Sequence, residues 1–398
     1  MRDLELATKI RSQKQFINMK FNIIHTLTLT YFPLSIILPL SIKAVTITQE
    51  NNTISLLSTL WTRDFRENIP PAVRFGFHTC FERGCNGCID FDNEANAGLE
   101  KIYQLLNDIY DNKMTLYPKE NYVIPKNDFK MSRADFWALS AWHAATTAFP
   151  DNAECLSIAK QEKFKFKYGR KDCSTSPKAD YPKKNFPNEK LGVEEILRSF
   201  GPNSIFNLTE DECVALISGG HSLGRAHLDA SGYEGPWNRS PETLDNNFIE
   251  SLVKDIWKQR KNPHSEKNLY QYYVEYRDYK SDPTVGLNTD ISLLKNITLV
   301  DSNLTTIGTN NGQITQECER INHNQDICGE SIFAVRSKYY AENKDAILVQ
   351  DFADVYDKLL KTTLGDLDLE VASESGSNML RAGWMFFGIL NFYFYILG

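Results

Sequence analysis

The sequence has no excess of positive charge: 44 Lys and Arg stand against 51 Asp and Glu, a net charge of -7. A nucleic-acid binder usually carries a basic excess, so that class is disfavoured. There is no internal repeat, which argues against a solenoid or propeller. Few stretches alternate apolar and polar residues with period two, so a sheet-dominated fold is not expected. No second Cys or His pair follows the cluster Cys80, Cys85 and Cys88 at finger spacing, so zinc is disfavoured there. The candidate membrane-contacting segments stand at the two ends, and the mean hydropathy of -0.39 belongs to a largely water-facing chain. What is present is material for a core: 42% of the 398 residues are hydrophobic and 24% charged, which excludes wholesale disorder. At roughly 150 residues per domain the length suggests two to three structural units.

The two ends read as targeting segments. Phe21 to Ile42 carries no formal charge and follows Met19-Lys20, which resembles a signal peptide with cleavage near Ala44. Residues 1–18 are then an extension, and an uncleaved anchor is the alternative. Trp384 to Leu397 is apolar and aromatic and follows Ser373, Ser375, Gly376 and Ser377, the pattern of a lipid-anchor signal. The run Ala382–Gly398 is shorter than the roughly 20 residues of a membrane span. The plain reading is a tail packed on the fold. Eight cysteines suit an oxidising compartment and fall in local groups, Cys80/Cys85/Cys88, Cys155/Cys173 and Cys318/Cys328, with Cys213 apart. Sequons stand at Asn51, Asn207, Asn238, Asn296 and Asn303. The expected location is outside the cell or at its surface, secreted or held to a membrane through either terminus.

Between the ends the pattern is helical. Asn96 to Ile109 has apolar residues at helical spacing, Ser132 is placed to cap Ala134–Ala145, and Thr209 with Glu212 forms a capping box. Phe352 to Leu360 is a late amphipathic helix, and 163–185 reads as a long Lys-, Pro- and Ser-rich surface loop with a short strand conceivable at Lys163–Lys167.

Two histidine segments carry the chemistry. In Val73-Arg74-Phe75-Gly76-Phe77-His78, Arg74 and His78 are four apart and share one helical face. A cation, a neutral imidazole and an aromatic ring are what cleavage of an iron-bound peroxide requires. In Leu216-Ile217-Ser218-Gly219-Gly220-His221 an apolar helix runs into two glycines that let backbone approach a large flat group. Alone, each reads more plainly as a surface pair and as a helix end with a core histidine.

Together they resemble the haem peroxidases of the plant, fungal and bacterial superfamily, over about residues 54–365. Ser231-Gly232-Tyr233-Glu234-Gly235-Pro236-Trp237 is similar to cytochrome c peroxidase. Leu287-Asn288-Thr289-Asp290 matches the proximal aspartate segment, and Asn96-Ala97-Gly98-Leu99 the distal asparagine segment. Gly84-Cys85-Asn86-Gly87-Cys88-Ile89 resembles secreted invertebrate relatives labelled as ascorbate peroxidases. The resemblance implies a mainly α, two-lobed fold with haem b between a distal lobe at 46–205 and a proximal lobe at 206–365. It implies an insertion near 296–332 and a tail at 366–398. His221 would be the iron ligand and Asp290 the acceptor of its other ring N–H. His78 would be the general base, Asn96 its tautomer partner and Arg74 the support for charge on the leaving oxygen. Phe77 would close the distal side, Trp237 could hold a radical, and His227 would bond a propionate. The implied reaction is reduction of hydrogen peroxide through a ferryl state, with one-electron oxidation of a small-molecule or protein donor, in a response to oxidative stress. The alternative is a secreted haem-binding protein of this fold without turnover.

Departures from the family are specific. Phe77 stands where cytochrome c and ascorbate peroxidases have tryptophan. Cys80 and Cys85 match a distal disulfide of the secreted plant enzymes, but Thr79, Asn86 and Cys88 stand where a distal calcium would need acidic or hydroxyl ligands. Ser222, Asn238, Ser240 and Asp245 partly match a proximal site for a monovalent or calcium cation, which would leave the Asn238 sequon unused. Ala230 replaces the arginine with which ascorbate peroxidases bind ascorbate.

Overall fold

The computed structural model describes residues 45–61, 63–113, 116–117, 122–123, 130–173, 186–275, 283–297, 312–314, 318–321, 328–362 and 368–374. The runs Phe21–Ile42 and Ala382–Gly398 and the sequon at Asn303 lie outside the described residues. Residues 44–378 form one compact unit. Among the described residues no helix is long and apolar enough to cross a membrane.

The fold is mainly α, as expected. The helices are α1 (Ile47–Leu60), α2 (Ile69–Arg83), α3 (Glu100–Tyr110), α4 (Arg133–Thr147), α5 (Ala153–Ile158) and α6 (Val193–Phe200). They continue with α7 (Glu210–His221), α8 (Leu228–Ser231), α9 (Asn247–Lys254), α10 (Asn288–Ile291), α11 (Ala334–Glu342) and α12 (Asp345–Lys361). Local chemistry sets several starts. Ser132 accepts from the Asp135 N–H at the head of α4, and Thr209 and Glu212 form their capping box at the head of α7. Pro70 and Pro71 occupy the first turn of α2, where their missing N–H groups cost nothing. The segment expected to be helical from Asn96 instead makes a tight turn first and becomes helical at Glu100, because Gly98 takes a positive φ of 83°.

Helix α12 is the hub and packs on α2, α4, α5 and α7. Two of its neighbours cross glycines. A Cβ on Gly219 would meet the Phe352 ring at 2.2 Å, and one on Gly76 would meet Ala141 at 2.3 Å and the Tyr356 hydroxyl at 2.6 Å. That hydroxyl donates to the Val73 carbonyl at 2.8 Å, tying α12 to the helix of the first motif. Both histidine helices are thus pinned to one element.

Short strands complete the unit: β1 (Leu116–Tyr117) with β2 (Tyr122–Val123), and β4 (Arg225–Ala226) with β5 (Gly235–Pro236). β3 (Lys167–Tyr168) pairs with β10 (Glu370–Val371), so the segment read as loop from 163 holds a strand at its inner end. An unexpected antiparallel sheet has the order β8 (Val285–Gly286), β7 (Tyr270–Val274), β6 (Trp257–Lys261), β9 (Arg320–Ile321). Trp257 stands opposite both Val274 and Ile321, so part of the segment read as an insertion is a sheet strand.

Disulfides join Cys80 to Cys85, Cys88 to Cys173 and Cys318 to Cys328. Cys173 thus pairs outside its local group, and Cys155 and Cys213 are free and buried. The fold brings Cys173 back to Cys88 because the Cys173 N–H donates to the Asn86 carbonyl at 2.7 Å. The sequon residues Asn51, Asn207 and Asn296 are exposed, whereas Asn238 is buried.

Candidate active site

On α2 the predicted spacing holds: Arg74 Nε donates to His78 Nε2 at 3.3 Å. The other two guanidinium nitrogens donate to the Ala97 and Ala95 carbonyls at 3.1 and 2.8 Å. Backbone acceptors thus aim the cation. Burial lowers the Arg74 pKa to about 10, with Glu100 opposing, so it stays charged near neutrality.

His78 is buried, and its Nδ1 lies 2.8 Å from Asn96 Oδ1. The amide cannot be turned the other way without loss, because Asn96 Nδ2 already donates to Glu82 Oε2 at 3.0 Å and to the Asp90 carbonyl at 2.8 Å. Asn96 therefore accepts from Nδ1–H, and the lone pair of the imidazole is left on Nε2, toward Arg74. Burial first and the Arg74 charge second hold the His78 pKa well below 6.5, so the ring is neutral at pH 7. This is a proton acceptor with its tautomer fixed.

Two neighbours escaped the sequence reading. Glu82, fully buried, is one further turn along the face that carries Arg74 and His78, so the spacing itself could have found it. It also accepts from Asn93 Nδ2 at 3.0 Å. Phe186 lies over His78 with ring centroids 4.4 Å apart, and Phe77 meets the same ring edge-on at 5.5 Å. Phe186 follows an aperiodic loop that gave no signal.

On the other side His221 is the last residue of α7. Its Nδ1 is 2.7 Å from Asp290 Oδ1, and Asp290, at 0% exposure, also accepts from the Leu287 N–H at 2.8 Å. The Trp237 ring stacks on the imidazole at 4.2 Å and 2°, and Phe248 meets it edge-on. With Nδ1 engaged and the ring clamped, Nε2 is the free ligand atom, and the space beside Gly220 is open. An imidazole fixed through Nδ1 to a buried carboxylate is the donor arrangement that iron ligation needs, so the residues fit a haem. His227 is exposed, at the head of α8.

The four residues of the partial cation match come together. Asn238 Nδ2 donates to the Ser222 carbonyl at 2.7 Å, the Ser240 N–H donates to Asn238 Oδ1, and Ser222 Oγ donates to the Asp245 carbonyl at 2.6 Å. Burial raises the Asp245 pKa to about 6. Both ends of the Asn238 amide are in use, and the residue is buried. Cys88 is bound in a disulfide and so offers no calcium ligand, and the Thr79 hydroxyl donates to the Gly76 carbonyl at 3.2 Å.

Comparison with known proteins bears on the same residues. The family model described as Peroxidase matches residues 56–325. The chain is 29% identical to the cytosolic L-ascorbate peroxidase 1 of Oryza sativa over 164 residues, 41% of this chain and 52% of that protein. It is 30% identical to L-ascorbate peroxidase 3 of Arabidopsis thaliana over 172 residues, 43% and 49% of the two chains. It is 35% identical to the mitochondrial cytochrome c peroxidase of Yarrowia lipolytica over 128 residues, 32% and 34%. The chain thus matches about half the length of the first two relatives and a third of the last.

Proposed function

Since the chain belongs to the peroxidase family, we propose that it reduces hydrogen peroxide to water at a haem b held by His221, withdrawing one electron at a time from a donor. The observation that carries this reading is the pair of oppositely prepared imidazoles: His221 anchored through Nδ1 to Asp290, and His78 neutral with its lone pair on Nε2.

Haem, when bound, supplies the iron that binds peroxide and passes electrons from donor to oxygen. His78 Nε2 is placed to accept a proton from one oxygen of hydrogen peroxide and to return it to the other, which would leave as water. Asn96 holds the Nδ1 proton in place through that transfer. Arg74, aimed by two carbonyls, faces the negative charge that grows on the departing oxygen. Asp290 pulls on the Nδ1 proton of His221 and strengthens Nε2 as a donor. Trp237, stacked on His221, is placed to relay an electron, and His227 to meet a propionate. Phe77 and Phe186 keep water from the His78 ring.

The same proposal assigns the enzyme to defence against oxidative stress in the secretory pathway or at the cell surface. Three disulfides, exposed sequons at Asn51, Asn207 and Asn296 and the apolar run after Met19 support that location, and the terminal apolar runs support membrane attachment. An absorption spectrum of the purified chain tests the chemistry. A Soret band that shifts on adding peroxide and returns on adding donor is expected. Absence of the band removes haem, and a band indifferent to peroxide leaves a haem-binding protein without turnover.

A further inference from the structure

We propose that the Cys88–Cys173 disulfide is a thiol-exchange site: a small thiol enters the cleft beside it, opens the bond, and slows the peroxide step by releasing the backbone that holds Asn96. This rests on the reading that His78 is the proton acceptor for peroxide, and adds a redox control on that residue.

The three disulfides differ in access. Cys80, Cys85, Cys318 and Cys328 are buried, whereas Cys88 and Cys173 are both half-buried. Their bond lines a cleft of about 430 Å³ at α3 and α4, with Tyr103, Trp137, Lys113 and Arg133 on its walls. The charges there balance: Asp111 pairs with both Lys113 and Arg133, and Asp172 adds a second carboxylate. Neither sign of small thiol is therefore repelled. A cleft of this size admits a small molecule, and a disulfide that thiols can reach is of the labile kind. The exchange needs no further reagent. One thiolate attacks a sulfur of the bond, which gives a mixed disulfide and one free cysteine thiolate. A second thiolate attacks the small-molecule sulfur of that mixed disulfide, freeing the other cysteine and leaving as a small disulfide. Two electrons pass from the two thiols to the cystine, and their two protons end on Cys88 and Cys173.

The bond fastens a segment that the distal site leans on. The Cys88 N–H donates to Asn86 Oδ1 at 3.2 Å, and the Cys173 N–H to the Asn86 carbonyl at 2.7 Å. Asp172 accepts from the Ala134 and Arg133 N–H groups at 2.8 and 3.2 Å, so the Cys173 side is held to the head of α4. Gly87 lies against the same place, where a Cβ would meet the Ala134 nitrogen at 3.0 Å. Two residues beyond Cys88, Asp90 turns both of its backbone groups to the site. Its N–H donates to Glu82 Oε2 at 3.4 Å, and its carbonyl accepts from Asn96 Nδ2 at 2.8 Å. Cys88 and Asp90 are separated by at most ~7 Å of chain. Freedom gained at Cys88 therefore reaches the carbonyl that sets the Asn96 amide, and through it the His78 tautomer.

The haem-loaded full chain would be treated with reduced glutathione without denaturant, alkylated with iodoacetamide, freed of small molecules and mapped by mass spectrometry. Label is expected at Cys88 and Cys173 before any other cysteine, with the Soret absorbance relative to protein unchanged. In stopped flow the opened protein should react with peroxide roughly 10-fold more slowly, in the range that loss of a group orienting a ligand or base costs. Protein reduced but not alkylated should regain its rate after treatment with oxidised glutathione. Cys88→Ser combined with Cys173→Ser should be slow from the start and indifferent to thiol. In Glu82→Gln, opening the bond should cost little more, because both changes act through Asn96. Label that appears only together with the buried cysteines overturns the exchange site. Opening that leaves the peroxide rate unchanged, or that slows the parent and Glu82→Gln by the same factor, overturns the control through Asn96 and leaves the peroxidase reading intact. An untreated haem-loaded protein inert to peroxide overturns the reading of His78 and this control with it.

Discussion

Asn96 Nδ2 donates to Glu82 Oε2 at 3.0 Å, and both side chains are fully buried. The acid stands on the same helix as the histidine that Asn96 orients, so α2 supplies the charged group on each side of the proton acceptor: Arg74 one turn before His78 and Glu82 one turn after. The amide between them can face only one way while Glu82 accepts.

Glu82→Gln should loosen that constraint with little change in volume. A glutamine can offer its own N–H to Asn96, favouring the flipped amide and the wrong imidazole tautomer. The rate of reaction with peroxide in stopped flow should fall by roughly 10- to 100-fold, the usual cost of losing a group that orients a ligand or base. Haem content should stay near the parent value. An unchanged rate would mean that the Asp90 carbonyl alone fixes Asn96.

His78→Leu removes the proton acceptor and keeps the burial. Haem should be retained and the peroxide reaction should slow by at least about 10²–10⁴, the usual worth of general-base catalysis. His221→Ala should act differently: it removes the nitrogen proposed to hold the iron, so the protein should emerge with most of its haem lost, read from the Soret absorbance relative to protein. A variant that keeps a normal five-coordinate spectrum would contradict the ligand assignment.

Acid should destabilise the fold through the buried His78 and the half-buried His143. His78 is held well below 6.5, and burial lowers His143 to about 4 while Ser58 and Thr147 hydroxyls satisfy its ring. In the unfolded chain both bind a proton near pH 6.5. Below that pH the unfolded state holds protons that the native state refuses, so stability falls as pH falls. For His143 the loss runs from about 6.5 to about 4. Thermal midpoints across that window should decline in the parent and decline less in His143→Gln.

How far the sequence foretold this depends on the kind of signal. Arg74 and His78 were legible because helical spacing puts them on one face, and the same argument reaches Glu82 once the face is followed another turn. Asp290 and His221 are 69 residues apart, and no local pattern joins them; only the family resemblance did. The β6–β9 sheet was hidden because its strands do not alternate. Four of five residues in Tyr270–Val274 are buried, and β6 loses its pattern in Arg260-Lys261. A strand covered on both faces carries no period-two signature. The Cys88–Cys173 bond spans 85 residues, beyond the reach of grouping by proximity in sequence.

The donor site provides the last test. Ala230 lies on α8, half-buried, against the turn that carries Asn96: a Cβ on Gly98 would stand 2.9 Å from the Ala230 Cβ. An alanine there offers no charge-assisted hydrogen bond to an anionic donor. Such bonds contribute on the order of 1.5–3 kcal/mol, so their absence should weaken ascorbate binding by roughly 10- to 150-fold. Steady-state turnover with ascorbate is expected to be slow and poorly saturable, and phenolic donors are expected to do better. Ala230→Arg should raise ascorbate turnover, although Glu94 in the adjoining turn, already paired with Lys267 at 3.0 Å, can compete for the new guanidinium. Ala230→Arg combined with Glu94→Gln should therefore gain more than Ala230→Arg alone. A parent enzyme that saturates at low ascorbate and gains from neither variant would place the donor on another part of the surface.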